Sequence, residues 1–334
     1  MNFVLQVKKY GLIFNVFMIT SNISNAVDAL NQGELVAIPT ETVYGLAGSA
    51  FNEHAIDKIF KLKNRPTCNP LILHTHSIEE VLKFVQQVPP AAMKLAKAFW
   101  PGPLTLLLPK KSNIPYSVTS GSHLVAVRIP NHAVALSLLQ QLDFPLVAPS
   151  ANPYTRISPT NSKMVYDYFG ETLPVILDGD ICSKGIESTI VGFHENTPVI
   201  YRQGAISVDA IEFIAGKSKV QATIKEKVIT PGMSPMHYAP MTKFCIVESI
   251  LDFIYENRDL KIGALTLGKI EVNQPNTNSI NLSISADIEE ASTNLYKSMY
   301  DLDGMGLDCI IIELFPEIGI GKSLNDRIRR ASFR

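Results

Sequence analysis

Apolar and polar positions divide the chain into short strands and amphipathic helices. From residue 23 to about 215, short apolar runs alternate with segments whose apolar residues recur every three or four positions. That spacing predicts helices over Ile23–Asn31, Ala55–Leu62, Glu79–Val85, Ala91–Phe99 and Ala133–Leu142. Strands are expected at Leu35–Ile38, Leu71–His74, Val125–Ile129, Pro145–Ala148, Val175–Leu177, Ser188–Val191 and Val199–Arg202. A further apolar strand should follow the Pro-Gly-Pro turn of WPGPLTLLLPKK. Connections of crossover length mix with hairpin-like gaps, so the fold class is α/β, with a mixed sheet flanked by helices.

Residues 216–242 break the rhythm. They are rich first in lysine and then in proline and glycine, the composition of a linker. From Lys243 a smaller α/β unit begins, with strands in TKFCIVES and KIGALTLG around a helix. A helix from about Ala286 places Ile288, Ala291, Leu295, Met299 and Leu302 on one stripe, and strand Cys309–Ile312 follows. The expected organisation is an N-terminal extension over 1–19, a first domain over 20–215, the linker over 216–242 and a second domain over 243–334.

At 334 residues the chain can bury two cores, and its 46% hydrophobic and 18% charged composition is ordinary for a globular protein. A formal net charge of -1 argues against a protein that coats nucleic acid. Cys68, Cys182, Cys245 and Cys309 lie far apart without a CxxC pair, which points to a reducing compartment and buried core thiols. Lys8, Lys9 and the apolar stretch from Gly11 to Ile19 loosely imitate a signal peptide. Helical pattern resumes at Ile23, so the segment reads instead as a leader upstream of an internal start at Met18. The stretch is too short to span a bilayer, and the expected location is cytoplasmic, with no membrane partner.

Familiar nucleotide and metal signatures fail. EIGIGKSLN ends like a P-loop, but the required first glycine falls on Pro316, and GxGxxG fails at Leu324. DGDICSKG starts like a calcium loop, yet Cys182 stands where an oxygen ligand belongs. His74 and His76 have no second ligand cluster, and no GxSxG elbow is present, so no metal site is assigned.

What remains is a set of polar residues at strand ends. Lys63 continues the stripe of Ile56, Ile59 and Phe60, and Arg65 follows just before a proline. A lysine and an arginine there can hold a polyphosphate, or can simply be a solvated cationic helix end. Asn69 precedes the strand ending in His74. In PLVAPSANPYTRISPT, Ser150, Asn152, Ser158 and Thr160 offer small donors to a phosphate or base edge, or serve only as turn residues. Ser188 and Thr189 enter one strand, while Arg128 and Arg202 close others. Thr40, Glu41 and Thr42 either cap a helix containing Val43, Tyr44 and Leu46 or line a cavity mouth.

Taken in order, PTETVYGL, KxR with NPLILH, WPGPLT, VAVRIP, APSAN with SPT, GIESTI and an arginine before glycine resemble the threonylcarbamoyl-AMP synthase family, whose catalytic unit is a YrdC-like domain. PGMSPMHYAP and LNDRIRRAS resemble its two-domain form, and the likeness runs from about residue 20 to the end. It implies a YrdC-like twisted mixed sheet around a large cavity plus a Rossmann-like second domain. The implied enzyme is a nucleotidyltransferase, L-threonylcarbamoyladenylate synthase. It would use L-threonine, bicarbonate and ATP, with magnesium expected on the phosphates, and release pyrophosphate.

The product would feed the tRNA threonylcarbamoyl-transferase machinery, which modifies the adenosine beside the anticodon. By the same resemblance Lys63 and Arg65 are catalytic and hold ATP with Asn69, Ser150, Asn152, Ser158 and Arg202. Thr42, His74, Arg128, Ser188 and the backbone at Ala148 would hold threonine, and the linker would form a lid. Pro235 and Met236 stand where the family commonly has an aromatic and a basic residue, whereas His237 and Tyr238 match. The rival readings are a double-stranded RNA or tRNA-binding module, which the near-neutral charge disfavours, a carbamoyltransferase-type enzyme, and a regulatory protein. Stable tRNA binding is not expected.

Overall fold

The computed structural model describes residues 18–221 and 237–333. The leader reading of residues 1–17 and the departure at Pro235 and Met236 lie outside the described residues.

The first domain contains strands β1 (Met18–Thr20), β2 (Val36–Ile38), β3 (Gly45–Ser49), β4 (Ile72–His74), β5 (Leu104–Pro109) and β6 (Leu124–Arg128). They are followed by β7 (Leu146–Val147), β8 (Val175–Leu177), β9 (Thr189–His194), β10 (Thr197–Arg202) and β11 (Lys219–Val220). Together they form one mixed sheet in the order β1-β8-β2-β3-β7-β4-β6-β5-β9-β10-β11. Around it pack α1 (Ile23–Asn31), α2 (Glu53–Lys63), α3 (Ile78–Phe84), α4 (Pro90–Phe99), α5 (Tyr116–Thr119), α6 (Ala133–Leu139), α7 (Ser162–Phe169) and α8 (Val208–Ala215). Strands β1 and β11 carry the sheet beyond the expected span of 20–215: β1 pairs with β8, and β11 with β10.

Local chemistry explains the elements that build the site. The Asn52 side chain accepts from the amides of His54 and Ala55, which starts α2. Ile56, Ile59 and Phe60 then bury its apolar face, with Lys63 on the same buried side. Asn64, in the left-handed region at φ 52°, ends the helix and turns the chain toward Arg65.

The helix considered for Val43, Tyr44 and Leu46 does not form. The chain reverses after Ile38 and returns as β3, antiparallel to β2 with Ile38 opposite Gly45. The Thr40 hydroxyl donates to the Val43 carbonyl at 2.6 Å and accepts from the Thr42 and Val43 amides, each at 3.2 Å. It caps a turn rather than a helix. Every residue from Leu35 to Ala50 is buried, so the apolar–polar contrast that marks one face was missing here. Helix α6 also stops short of Leu142. Helices α5, α7 and α8 fall in stretches assigned no helix. Of the cysteines expected in the core, Cys182 and Cys309 are buried, Cys245 is half-buried and Cys68 is exposed.

The second domain runs β12 (Lys243–Ile246), α9 (Ile250–Glu256), β13 (Ile262–Thr266), β14 (Thr277–Asn281), α10 (Ile288–Asp303), β15 (Cys309–Ile312) and α11 (Gly321–Ala331). Its sheet has the order β12-β15-β13-β14 and is parallel throughout. Of the stripe on α10, Ala291, Leu295, Met299 and Leu302 are inside, and Ile288 in the first turn is half-buried. Strand β14 and helix α11 were not expected. One apolar cluster joins the two domains, in which Val43, Ile157, Ile186 and Tyr238 pack with Leu295, Tyr296, Met299, Leu324 and Ile328. That shared core seats α10 and α11 against the first domain beside the cavity.

Candidate active site

Backbone pairing assembles the site from segments far apart in sequence. The turn after β2 zips onto the loop after β7: the Tyr44 amide donates to the Pro159 carbonyl at 2.8 Å and the Leu46 amide to Pro149 at 2.7 Å. In return the Ala151 amide donates to the Tyr44 carbonyl at 2.8 Å. This sets Gly45 opposite Ser150, and Thr42, Val43 and Ser150 come to line one cavity. Strands β4 and β6 are parallel with His74 opposite Arg128, so both side chains reach the same mouth. Gly102 lets the WPGP turn close against them. Its amide donates to the Ile129 carbonyl at 2.8 Å and its carbonyl accepts from Arg128 Nε at 3.3 Å. A Cβ on Gly102 would lie 2.2 Å from the Phe99 carbonyl oxygen, so no other residue fits that approach.

A cavity results. Thr42, Val43, Ile72, His74, Arg128 and Ala148 line it, together with Arg65, Pro149, Ser150, Ser188 and Arg202. Glu187, His237 and Tyr238 complete it. Of the twelve residues expected, Thr42, Arg65, His74, Arg128, Ala148, Ser150, Ser188 and Arg202 line the cavity.

Lys63, Asn69, Asn152 and Ser158 stand behind that lining. The Lys63 amine donates to the carbonyls of Ser150 and Asn152, bracing the loop that presents Ser150. Asn69 orients Arg65: its side-chain oxygen accepts from Arg65 Nη2 at 2.7 Å and its carbonyl from Nε at 3.2 Å. Asn152 Nδ2 donates to the Pro153 and Arg156 carbonyls, both at 2.9 Å, while its Oδ1 is buried without a partner. Ser158 Oγ donates to Glu187 Oε1 at 2.7 Å.

The electrostatics are those of an anion site. Burial pushes the Lys63 amine well below the usual lysine range, and neighbouring Arg65 adds to the effect. Burial likewise lowers Arg65, to about 10. His237 is driven down by burial and then by Arg65, Lys63, Arg327 and Arg202, which favours a neutral imidazole beside these basic groups. His74 falls to about 3, chiefly through burial and then Arg128. The two carboxylates nearby are already engaged. Glu41 lies 2.8 Å from Arg128 Nη2, a close ion pair without hydrogen-bond alignment, since neither Glu41 oxygen has a hydrogen-bond partner. Glu187 is paired with Arg327 at 2.9 Å. Among the described residues no group of three or more His, Cys, Asp or Glu is placed to hold a metal ion.

Glu187 was missed although the stretch GIESTI was singled out for Ser188. Its signal was a carboxylate at the entrance of an otherwise apolar strand, a position that demands a partner. That partner, Arg327, is 140 residues away and invisible to local pattern.

Comparison with known proteins places the chain in a family. Residues 28–204 match the family model for the Sua5, YciO and YrdC proteins, described as "Telomere recombination". Residues 206–332 match that of the "Threonylcarbamoyl-AMP synthase, C-terminal domain". A threonylcarbamoyl-AMP synthase of Pyrococcus abyssi is 35% identical over 321 residues, covering 92% of this chain and 93% of its own length. Its counterpart in Bacillus subtilis is also 35% identical, covering 93% and 92%. The crystal structure of P. abyssi Sua5 complexed with L-threonine superposes with a TM-score of 0.86 at 35% identity, covering 93% of this chain and 94% of that one. Escherichia coli YciO, at 21% identity and a TM-score of 0.50, shares the fold of the first domain. A YrdC-like sheet around a cavity, a parallel α/β second domain and relatives matching end to end make this chain a member of the threonylcarbamoyl-AMP synthase family, in its two-domain form.

Proposed function

We propose that this cavity joins L-threonine, bicarbonate and ATP into L-threonylcarbamoyladenylate and releases pyrophosphate. The observation that carries the reading is the convergence of Arg65, Arg202 and neutral His237 on one cavity, with Lys63 directly behind its wall. Thr42, His74, Arg128 and Ser188 line the same cavity. The first group suits a triphosphate, and the second a small amino acid with a carboxylate and a hydroxyl. In this assignment Arg65 and Arg202 contact the phosphates, and Lys63 supplies charge while fixing the Ser150–Asn152 loop. Asn69, Asn152 and Ser158 support the nucleotide side. Arg128 takes the threonine carboxylate, and the Ala148 backbone, Thr42, His74 and Ser188 surround the rest.

The chemistry needs no protein nucleophile. The threonine amine adds to bicarbonate with loss of water, giving a carbamate. A carbamate oxygen attacks the α-phosphorus, and pyrophosphate leaves. The side chains orient the reactants and neutralise charge that grows on the leaving phosphates. A carbamate is labile, so walls that exclude water protect it. Magnesium does not fit a protein cage here, because Glu41 and Glu187 are both committed to arginines. In this reading it arrives on the ATP phosphates as part of the substrate.

The product passes to the tRNA threonylcarbamoyl-transferase machinery in the cytoplasm, with no stable tRNA complex. No helix among the described residues is long and apolar enough to cross a membrane. The test is incubation with ATP, labelled bicarbonate and each amino acid in turn. Threonine-dependent pyrophosphate release and label in an adenylate are expected. Release that ignores threonine overturns the reading.

A further inference from the structure

The second domain reaches the cavity through one buried carboxylate. We propose that Glu187, Arg327 and Tyr296 are positioning residues through which the second domain sets the nucleotide side of the site. The inference rests on the activity proposed above.

Glu187 is a hub between the domains. Its Oε1 accepts from Ser158 Oγ at 2.7 Å, and its Oε2 accepts from Arg327 Nε at 2.9 Å and from the Tyr296 hydroxyl at 3.1 Å. Arg327, on α11, is 1% exposed and among the largest wholly buried side chains of the molecule. Its Nη2 also donates to the Gln203 carbonyl at 2.8 Å, and its Nη1 pairs with Asp326 at 2.7 Å. One turn earlier on the same helix, Ser323 Oγ donates to the Gly204 carbonyl at 2.8 Å. Two side chains of α11 therefore hold the turn that directly follows Arg202.

That turn is in backbone contact with the strand entry it serves. A Cβ on Gly204 would lie 2.4 Å from the Glu187 carbonyl oxygen. Arg202 Nη2 in turn donates to the Ser188 carbonyl at 2.9 Å and to its hydroxyl at 3.0 Å. Displacing α11 would thus move Arg202, Glu187 and Ser188 together. Tyr238 fits into the same joint. Its ring stacks on Tyr296 at 5.7 Å and lies 5.0 Å from the Arg327 guanidinium carbon, which seats the end of the linker beside the cavity.

The charge balance says what this does. Glu187 lines a cavity whose other charged lining groups are arginines. A free carboxylate there would repel a polyphosphate, while the same carboxylate held by Arg327 and Tyr296 keeps its charge on the side of the second domain. Its remaining oxygen then fixes Ser158. Removing Arg327 should release an unpaired buried charge into the nucleotide site, and removing that charge as well should relieve the defect.

The test measures steady-state constants for ATP and threonine, with thermal unfolding as a fold check, on the full chain carrying Tyr296→Phe, Arg327→Met, Glu187→Gln and the Arg327→Met/Glu187→Gln pair. Arg327→Met should raise the KM for ATP about a hundredfold, the scale of an uncompensated buried charge. The double variant should recover at least about tenfold of that loss. Tyr296→Phe, which keeps the stack and loses one hydroxyl, should raise the KM for ATP about fivefold with the threonine KM within about twofold. Unchanged ATP KM in folded Tyr296→Phe, or a double variant no better than Arg327→Met, overturns the proposal. Calorimetric ATP binding to the same proteins separates it from the activity reading. If the parent makes no threonine-dependent pyrophosphate, the activity fails, while the order of ATP affinities still decides the positioning role.

Discussion

Lys63 should take up a proton when ATP binds. The side chain is 1% exposed, its amine donates to two carbonyl oxygens, and burial with neighbouring Arg65 holds its pKa well below the usual lysine range. A phosphate entering beside it reverses the balance. One unit charge about 4 Å away, at an effective dielectric constant of about 20, is worth about 4 kcal/mol. That favours the charged amine in the complex. The free-state value is the depressed one, so between the two values the free enzyme lacks the proton and the complex holds it. The assay is ATP titration calorimetry at about pH 8.5, where ATP is already deprotonated, in buffers of different ionisation enthalpy. Observed enthalpy against buffer enthalpy should give an uptake of up to about one proton, absent in Lys63→Met. A slope of zero in the wild type, or one unchanged in Lys63→Met, refutes the reasoning.

Other outcomes are equally direct. Arg65→Ala should lower threonine-dependent kcat/KM on the order of a hundredfold or more in the pyrophosphate-release assay, since it removes a guanidinium aligned by Asn69. Thr42→Val keeps the shape but loses the hydroxyl that lies 2.8 Å from Thr40 Oγ1, and should raise the threonine KM about tenfold with little change in melting temperature. His74, held at about 3 in the fold against about 6.5 when unfolded, binds more protons in the unfolded chain between those values, so stability falls as pH drops below about 6.5. Urea unfolding at about pH 5 should show about 2 kcal/mol less stability from this group than at pH 7, with His237 acting in the same direction. A chain truncated after residue 215 loses Arg327, Tyr296 and Tyr238, and should lose turnover; unchanged kinetics would reject any part for the linker and second domain.

Sequence pattern was most legible where one face of an element is buried and the other is wet. The stripes of α2 and α10 stand where their spacing puts them, and the buried strands β4, β6 and β15 were legible as unbroken apolar runs. It was least legible where burial is complete and the residues are small or polar. Strand β3 lies in a stretch buried at every position, so neither helical nor strand alternation marks it. Helix α11 looked like a failed phosphate loop, because its buried Ser323, Asn325 and Arg327 are polar residues satisfied by the first domain and its own flanks.

The ordered motifs determined the family, the residue types at the site and the strand ends that carry them. Each of these is written in a contiguous stretch. Only the tertiary structure decided which of those residues face the cavity and which brace it. Lys63 and Asn69 turn to backbone and to Arg65, while Glu187 enters from a motif prized for its neighbour. The physical reason is that a buried charge must find a partner wherever the fold brings one, and for Glu187 that partner lies in the other domain.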